Sequence, residues 1–385
     1  MDALVWAQTV DRRDSDRFFD SLRQAIVRER QAADGRDITA VLRFDGHGGA
    51  MQRFAFSRAV ARTFRDTARV IDIGTRTGSM VDLDQVVGQD EVSVFRIAPA
   101  PYADLVPFLR TLCDQVYLAS YIVKGYSRDP DIQADMDRIL AHSGLSETVD
   151  KVPGVYNVLG NLGKTTWELM SLSSGIEVTP DDMWLPTDVL AAGDEIAEHL
   201  AAPPGSSNAR RAALRGVGRY AVIHNTPGGR CVTKAVPFDT MQRAIDTING
   251  CGYRVVQVGT RDEPRYKHVI DRRGLRWPLT AQVMQGASFF LGLEGGLAYM
   301  AYCTQTPAII LFGCTPPALF SFAGNTNVCM DRCPSCFWGW EGWHAKCIRG
   351  KQNPQYPFCE NQPTPDEVES IVVAACERHR ERSAA

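Results

Sequence analysis

Twice along this chain a short apolar run leads into a glycine-containing turn, a helical stripe and a second apolar run. In the first half, residues 38–44 (ITAVLRF) read as a buried strand and Asp45-Gly46-His47-Gly48-Gly49 as the turn. Met51, Phe54, Ala55, Ala59 and Phe64 recur at helical spacing, and residues 70–73 restore a strand. In the second half, residues 220–224 form a strand, 226–234 a polar loop, 241–248 a helix and 254–258 a strand. Helix 280–285, strand 289–293, helix 295–303 and strand 307–312 continue the alternation. Strands that are apolar throughout and alternate with helices fit a parallel sheet covered on both faces. A turn-rich stretch, Ala201-Ala-Pro-Pro-Gly-Ser-Ser-Asn208, separates the halves. The fold class expected is α/β, with two Rossmann-like domains facing a cleft.

A length of 385 residues gives room for two to three domains, and 44% hydrophobic residues is enough for full cores. The expected division is 1–205, 206–328, a cysteine-rich finger at 329–362 and a final helix at 363–385. In that last segment Thr364 and Glu367 make a T-x-x-E capping box ahead of an apolar stripe of Val368, Ile371, Val372 and Ala375. Residues 14–33 read as a charged amphipathic helix forming a solvated outer layer. With 42 basic and 45 acidic residues, the net charge of -3 lacks the broad basic field of nucleic-acid binders. The first residues do not read as a signal peptide, and the apolar stretch 287–312 is interrupted by Glu294, glycines and Pro307. The expectation is a cytoplasmic protein with no membrane span.

Eleven cysteines stand out. Cys113, Cys303, Cys314 and Cys376 sit in apolar segments, where a small buried hydrophobe is the default. Cys333-Pro-Ser-Cys336, Cys347 and Cys359 differ. A C-x2-C pair puts two thiolates on one turn, and gaps of ten and eleven residues return two more. Four thiolates suit tetrahedral zinc or iron, with disulfides or unrelated thiols as the alternative. With all four positions filled by protein, such a metal is structural. The finger also carries Phe337, Trp338, Trp340 and Trp343, read either as packing around the loop or as a docking surface. His344 is a substitute ligand or a surface imidazole.

The order of several segments resembles glycosyltransferase family 9, whose best-known members are the bacterial heptosyltransferases. The segments are Val41-Leu-Arg-Phe-Asp-Gly-His-Gly-Gly49, Trp167-Glu-Leu-Met-Ser-Leu-Ser-Ser-Gly-Ile176, Ile223-His-Asn-Thr-Pro-Gly-Gly229 with Thr233-Lys234, Gly292-Leu-Glu-Gly-Gly-Leu297 and Pro307-Ala-Ile-Ile-Leu-Phe-Gly313. The cysteine finger resembles that of the autotransporter heptosyltransferases, which glycosylate bacterial surface proteins in the cytoplasm and carry iron on four cysteines. The resemblance implies a GT-B fold and transfer of heptose from ADP-heptose to Ser/Thr hydroxyls of a protein such as an autotransporter. It also implies iron at the cysteines, though their spacing fits zinc equally. Transfer to lipopolysaccharide core or a small acceptor is the alternative, as is a catalytically silent scaffold. Expected partners are a nucleotide sugar, a protein acceptor and further copies of the chain.

Within that reading, Glu294-Gly295-Gly296 follows a strand and opens a helix, where backbone N–H groups can approach a diphosphate; the bland alternative is a tight turn. Thr226, Gly228, Gly229 and Thr233 complete the expected donor site. Lys234 neutralises the leaving diphosphate, unless it is simply a solvated loop lysine. Arg230 is a second candidate. Asp45 is the candidate base, with His47 beside it, or else a turn former bonding its own backbone. The chain departs from the family in two places: Gly49 occupies the position where the family has its catalytic aspartate, and at the donor site Glu294-Gly295-Gly296 stands for the usual Asp-Ser/Thr-Gly, with Tyr299 replacing the later histidine.

Overall fold

In the computed structural model, described residues are 12–43, 50–75, 92–97, 102–119, 165–185, 219–227, 231–275, 277–333, 336, 345–347, 349 and 358–384. They fall into two compact units, 1–151 with 166–184 and 152–165 with 185–385. Each is built on one sheet.

In the first unit, β1 (Asp37–Arg43), β2 (Ala68–Thr75), β3 (Val92–Ile97) and β4 (Gln115–Ala119) pair in the order β3-β2-β1-β4. Every pairing is parallel. Side chains alternate across the pleat. Ile38, Ala40, Leu42, Ile71 and Ile73 face one way and pack with Leu105, Val106 and Leu109 of α3 (Tyr102–Arg110). The opposite face is covered by α2 (Ala50–Thr63), whose Ser57 hydroxyl donates to the fully buried Asp72 carboxylate. The first helix, α1 (Arg12–Ala32), departs from the solvated layer expected of it. Leu22 and Ile26 are buried in the β1 core, because a two-residue apolar stripe suffices when the neighbouring strand is apolar throughout. A short helix, α4 (Thr166–Ser174), completes the unit.

The second unit holds a six-stranded sheet of β5 (Tyr220–His224), β6 (Arg254–Gln257), β7 (Ile270–Asp271), β8 (Phe289–Leu293), β9 (Ala308–Leu311) and β10 (Thr326–Val328). The order is β10-β9-β8-β5-β6-β7, again parallel throughout. The chain runs outward from β5 in one direction, returns to β8, and runs outward in the other. That is the doubly wound Rossmann order, with its reversal between β5 and β8. Helices α5 (Phe238–Gly250), α6 (Trp277–Gln285), α7 (Gly296–Cys303), α8 (Pro317–Phe320) and α9 (Pro365–Ala384) follow. Met241, Ala244, Ile245 and Ile248 of α5 share one core with Val368, Val372 and Ala375 of α9 and with Ile223, Leu291 and Ile309.

The capping box forms as expected. Thr364 N–H and its hydroxyl both donate to Glu367 Oε2 at 2.8 Å, and Glu367 N–H returns a bond to Thr364 Oγ1. Arg332 adds its guanidinium to the same carboxylate and also donates to the carbonyls of Glu360 and Gln362. The Arg332 hydrogen bond first, and the Thr364 N–H second, pull the Glu367 carboxyl down to about 2. A carboxylate lowered in the folded state adds stability above its unfolded value, and that stability is lost as pH falls towards 2. Glu367→Gln is therefore expected to cost about 1 kcal/mol near neutrality, since this pair is a third exposed. Urea unfolding of variant and wild type should converge between pH 5 and pH 2. A gap that stays constant over that range would count against the ion pair.

Candidate nucleotide-sugar site at the sheet reversal

In doubly wound sheets the ligand crevice lies beyond the carboxyl ends of the strands, where the strand order reverses. Here that point lies between the end of β5 at His224 and the end of β8 at Leu293. Glu294 and Gly295 leave β8 at this edge. Gly295 has φ +153° and ψ -165°, a region that side-chain-bearing residues rarely enter, and it caps α7. Tyr299, on α7, is buried and packs edge-on against Phe322.

The loop leaving β5 returns to the same edge because Asn225 cinches its neck. Asn225 Nδ2 donates to the Val236 carbonyl at 2.9 Å and to Tyr266 Oη at 2.8 Å. Its Oδ1 accepts from Val236 N–H at 2.9 Å. Within the loop, one turn of 3-10 helix (Val232–Lys234) points Lys234 at Glu294, with Nζ to Oε2 at 2.5 Å. The Lys234 side chain is 18% exposed and that of Glu294 6%. Burial opposes the ammonium most strongly, but the attraction of Glu294, joined by that of Cys231 and Cys314 and the Glu294 hydrogen bond, together raises Lys234 above the ordinary lysine value. The ring of Phe320 lies 5.7 Å from Nζ. The result is a largely buried cation at the sheet reversal, paired with its own counter-ion.

A second carboxylate stands on the same edge. His224 Nε2 lies 3.4 Å from Glu263 Oε1, which also accepts Thr260 N–H at 2.7 Å. Burial works to raise the Glu263 carboxyl. The hydrogen bonds from His224, Thr260 and Thr226 overcome it and hold Glu263 below the ordinary glutamate range.

Of the expected donor-site residues, Lys234, Glu294, Gly295 and Gly296 come together, and Thr226 joins the His224–Glu263 group. Thr233 is buried, with its hydroxyl on Cys314 Sγ at 3.3 Å. Gly228, Gly229, Arg230, Asp45, His47, Gly48 and Gly49 lie outside the described residues. Sequence reasoning missed Asn225, Glu263 and His224. An asparagine directly after a strand was the available sign of a cinched loop, whereas nothing local marks Glu263, which sits on the β6–β7 connection.

Replacing Asn225 by Leu is expected to strand two buried backbone groups of Val236 and cost about 2 kcal/mol. Asn225→Asp, which keeps the acceptor for Val236 N–H, should fall between the two. Equal urea midpoints for all three proteins would show that the loop is held elsewhere.

The described ends of the cysteine-rich segment meet this loop. Those ends are tied by Asn361, whose Oδ1 accepts Cys333 N–H at 3.0 Å and whose Nδ2 donates to the Cys333 carbonyl at 2.8 Å. Gln362, 4% exposed, donates to the Lys234 carbonyl at 2.6 Å. At Gly313 a Cβ would come within 2.7 Å of the Thr233 carbonyl and 3.1 Å of Cys359 Cβ, so only glycine allows this approach. Cys347 and Cys359 are buried, Cys333 and Cys336 half-buried. Burial first, then the proximity of Cys333, Cys336 and Cys347, pushes the Cys359 thiol far up. The four thiols thus share one neighbourhood. Among the described residues, however, no three His, Cys, Asp or Glu side chains are gathered closely enough to hold a metal ion. The expected metal group is therefore not assembled there as a ligand set, and His344 and the aromatic residues 337, 338, 340 and 343 lie outside the described residues. No helix among the described residues is long and apolar enough to cross a membrane.

No protein-family model matches the sequence, and none of the curated proteins matches it. Solved structures do match in fold. TibC of enterotoxigenic E. coli H10407, described as a dodecameric iron-containing heptosyltransferase in complex with ADP-D-β-D-heptose, is 15% identical with a TM-score of 0.55. That match covers 89% of this chain and 76% of that one. The chain shares its two-sheet α/β fold with that enzyme. E. coli ADP-heptose LPS heptosyltransferase II matches at 10% identity and a TM-score of 0.53, over 89% of this chain and 99% of that one. A family 9 glycosyl transferase from Veillonella parvula DSM 2008 matches at 11% and 0.52, over 89% and 97%.

Proposed function

We propose that this protein is a GT-B glycosyltransferase of the family 9 type. It transfers heptose from ADP-heptose to serine or threonine hydroxyls of a bacterial surface protein, such as an autotransporter, in the cytoplasm. The observation that carries the reading is the largely buried Lys234–Glu294 pair at the sheet reversal, on a fold shared with enzymes solved as heptosyltransferases. TibC is described with ADP-D-β-D-heptose bound, which makes that donor the first to test.

In the proposed reaction the acceptor oxygen attacks the anomeric carbon and the bond from that carbon to the nucleoside diphosphate breaks. The acceptor's proton passes to Asp45, and the charge growing on the diphosphate is met by Lys234. Glu294 holds Lys234 in place, and Gly295 and Gly296 bring backbone N–H groups of α7 towards the phosphates. Thr226, Gly228, Gly229 and Thr233 line the same loop. In sequence Asp45 comes two residues after the end of β1, and ligands of such sheets lie beyond strand ends.

The finger is proposed to hold one structural metal ion on Cys333, Cys336, Cys347 and Cys359, iron by likeness to TibC and zinc by equal fit of four thiolates. Its donor chemistry fits such an ion, and what the ion supplies is folding free energy for a segment with little core of its own. TibC's dodecameric state is the ground for proposing that this chain also self-associates.

The reading is tested by thermal unfolding with ADP, UDP and GDP in turn. A ligand that binds only the folded state stabilises it by mass action, by about 2.7 kcal/mol at a hundred times Kd. A rise with ADP alone is expected. A response to UDP or GDP instead would replace heptose as the sugar, and no response to any nucleotide would favour a silent scaffold.

A further inference from the structure

Cys314 is buried, as expected, and the structure adds that it sits beside a buried hydroxyl and a second thiol, one turn from the lysine of the proposed site. Cys231 caps the 3-10 turn that carries Lys234, and its Sγ lies 3.8 Å from Thr233 Oγ1. The same hydroxyl lies 3.3 Å from Cys314 Sγ, in the loop after β9. Both sulfurs thus lie against one hydroxyl, which makes the two thiols neighbours. The two loops meet at backbone level, since a Cβ on Gly313 would reach the Thr233 carbonyl at 2.7 Å. A disulfide needs the two Cβ atoms about 4 Å apart, and close packing of these two loops favours that approach. Access is unequal: Cys231 is half-buried, Cys314 only 1% exposed.

We propose that Cys231 and Cys314 are a redox modification site, closing to a reversible disulfide that displaces Lys234 and switches off the nucleotide pocket. The partly exposed Cys231 is the attacking thiol and the buried Cys314 the resolving one. In support, the hydrogen bond donated by Cys314, and after it the Lys234 ammonium, draw the Cys231 thiol down against the effect of burial. The same hydrogen bond, with burial, drives Cys314 up and keeps it protonated. A low-pKa thiol beside a cation is the chemistry of a reactive cysteine.

The oxidant is a low-molecular-weight disulfide. The Cys231 thiolate attacks one of its sulfurs, forming a mixed disulfide and expelling one small thiolate. Cys314 passes its proton to that thiolate and attacks Cys231 Sγ, expelling the second small thiolate, which takes up the proton Cys231 had lost. One S–S bond forms in the protein and one breaks in the reagent; two electrons and two protons end on two small thiols. An S–S bond of about 2.05 Å is far shorter than a thiol hydrogen bond. Thr233 Oγ1 then loses its place between the sulfurs, and the turn carrying Lys234 is drawn towards the β9 loop.

The experiment equilibrates the full chain in glutathione buffers of rising oxidised fraction, then blocks free thiols and maps linkages by mass spectrometry. The expected result is a Cys231–Cys314 cross-link reversed by dithiothreitol. In Cys314→Ser a glutathione adduct should stay trapped on Cys231, because the resolving thiol is gone. Glutathione persisting on Cys231 in the wild type, linkage of Cys231 to another cysteine, or a Cys231 that stays reduced would each overturn the proposal. ADP affinity is measured on the same samples and should fall at least tenfold on cross-linking; an unchanged affinity would overturn the switch. The effect on ADP rests on the donor-site reading, whereas the linkage map does not. Reduced protein that ignores ADP would therefore sink that reading and leave the modification site to be judged by its map.

Discussion

Lys234→Ala is expected to lose the stabilisation that ADP gives the wild-type protein and to unfold about 3 kcal/mol more easily. Both effects come from one geometry. The ammonium sits 2.5 Å from a carboxylate whose side chain is 6% exposed, so truncating the lysine leaves a nearly buried charge without its partner. A double variant, Lys234→Met with Glu294→Gln, removes both charges at similar volume. It should recover much of the lost stability but not the ADP response. Calorimetry with and without ADP separates the cases. If the single variant keeps a wild-type ADP shift, Lys234 does not meet the diphosphate and the proposed reaction loses its electrophilic group. If the double variant is as unstable as the single one, the pair is not what holds this loop.

Cys336→Ser should lower metal content per chain and destabilise the second unit. Metal binding to four thiolates is worth on the order of 10 kcal/mol in small zinc modules, and most of that appears as folding free energy. The loss should also reach the nucleotide site, because the finger's base is hydrogen-bonded to it. Asn361 closes the finger onto Cys333, and the next residue, Gln362, donates to the Lys234 carbonyl at 2.6 Å. Elemental analysis, urea unfolding and the ADP shift should therefore move together. Unchanged metal stoichiometry would remove Cys336 from the ligand set. Lost metal with an intact ADP response would show that the finger and the site are independent.

Much of the fold was legible in local pattern. The β5, β8 and β9 strands, helix α5 and the capped α9 can be read from apolar runs, helical spacing and a T-x-x-E box, since each depends on residues near in sequence. Charges dominate the composition of helix α1 and suggest a solvated layer, whereas Leu22 and Ile26 enter the core and the Phe19 ring meets Phe108 beside it. Strands β7 and β10, two and three residues long, carry little pattern of their own, and neighbours in the sheet recruit them. The same division holds at the site. Lys234 and the Glu294-Gly295-Gly296 turn stood out because each follows a strand, and strand ends are where α/β sheets place ligands. Their meeting could not be read, since they stand 60 positions apart in the chain.

The sequence by itself determined the alternation of strand and helix, the glycine that α7 needs at its start, the capping box and the set of four clustered cysteines. These are properties of a few adjacent residues and their backbone preferences. Only the tertiary structure decided which charges and thiols face each other: Lys234 with Glu294, His224 with Glu263, Cys231 with Cys314, Gln362 with the Lys234 carbonyl. The reason is the strand order. A parallel sheet that reverses between β5 and β8 gathers the ends of distant strands at one edge, and low solvent access there makes each of those pairings count.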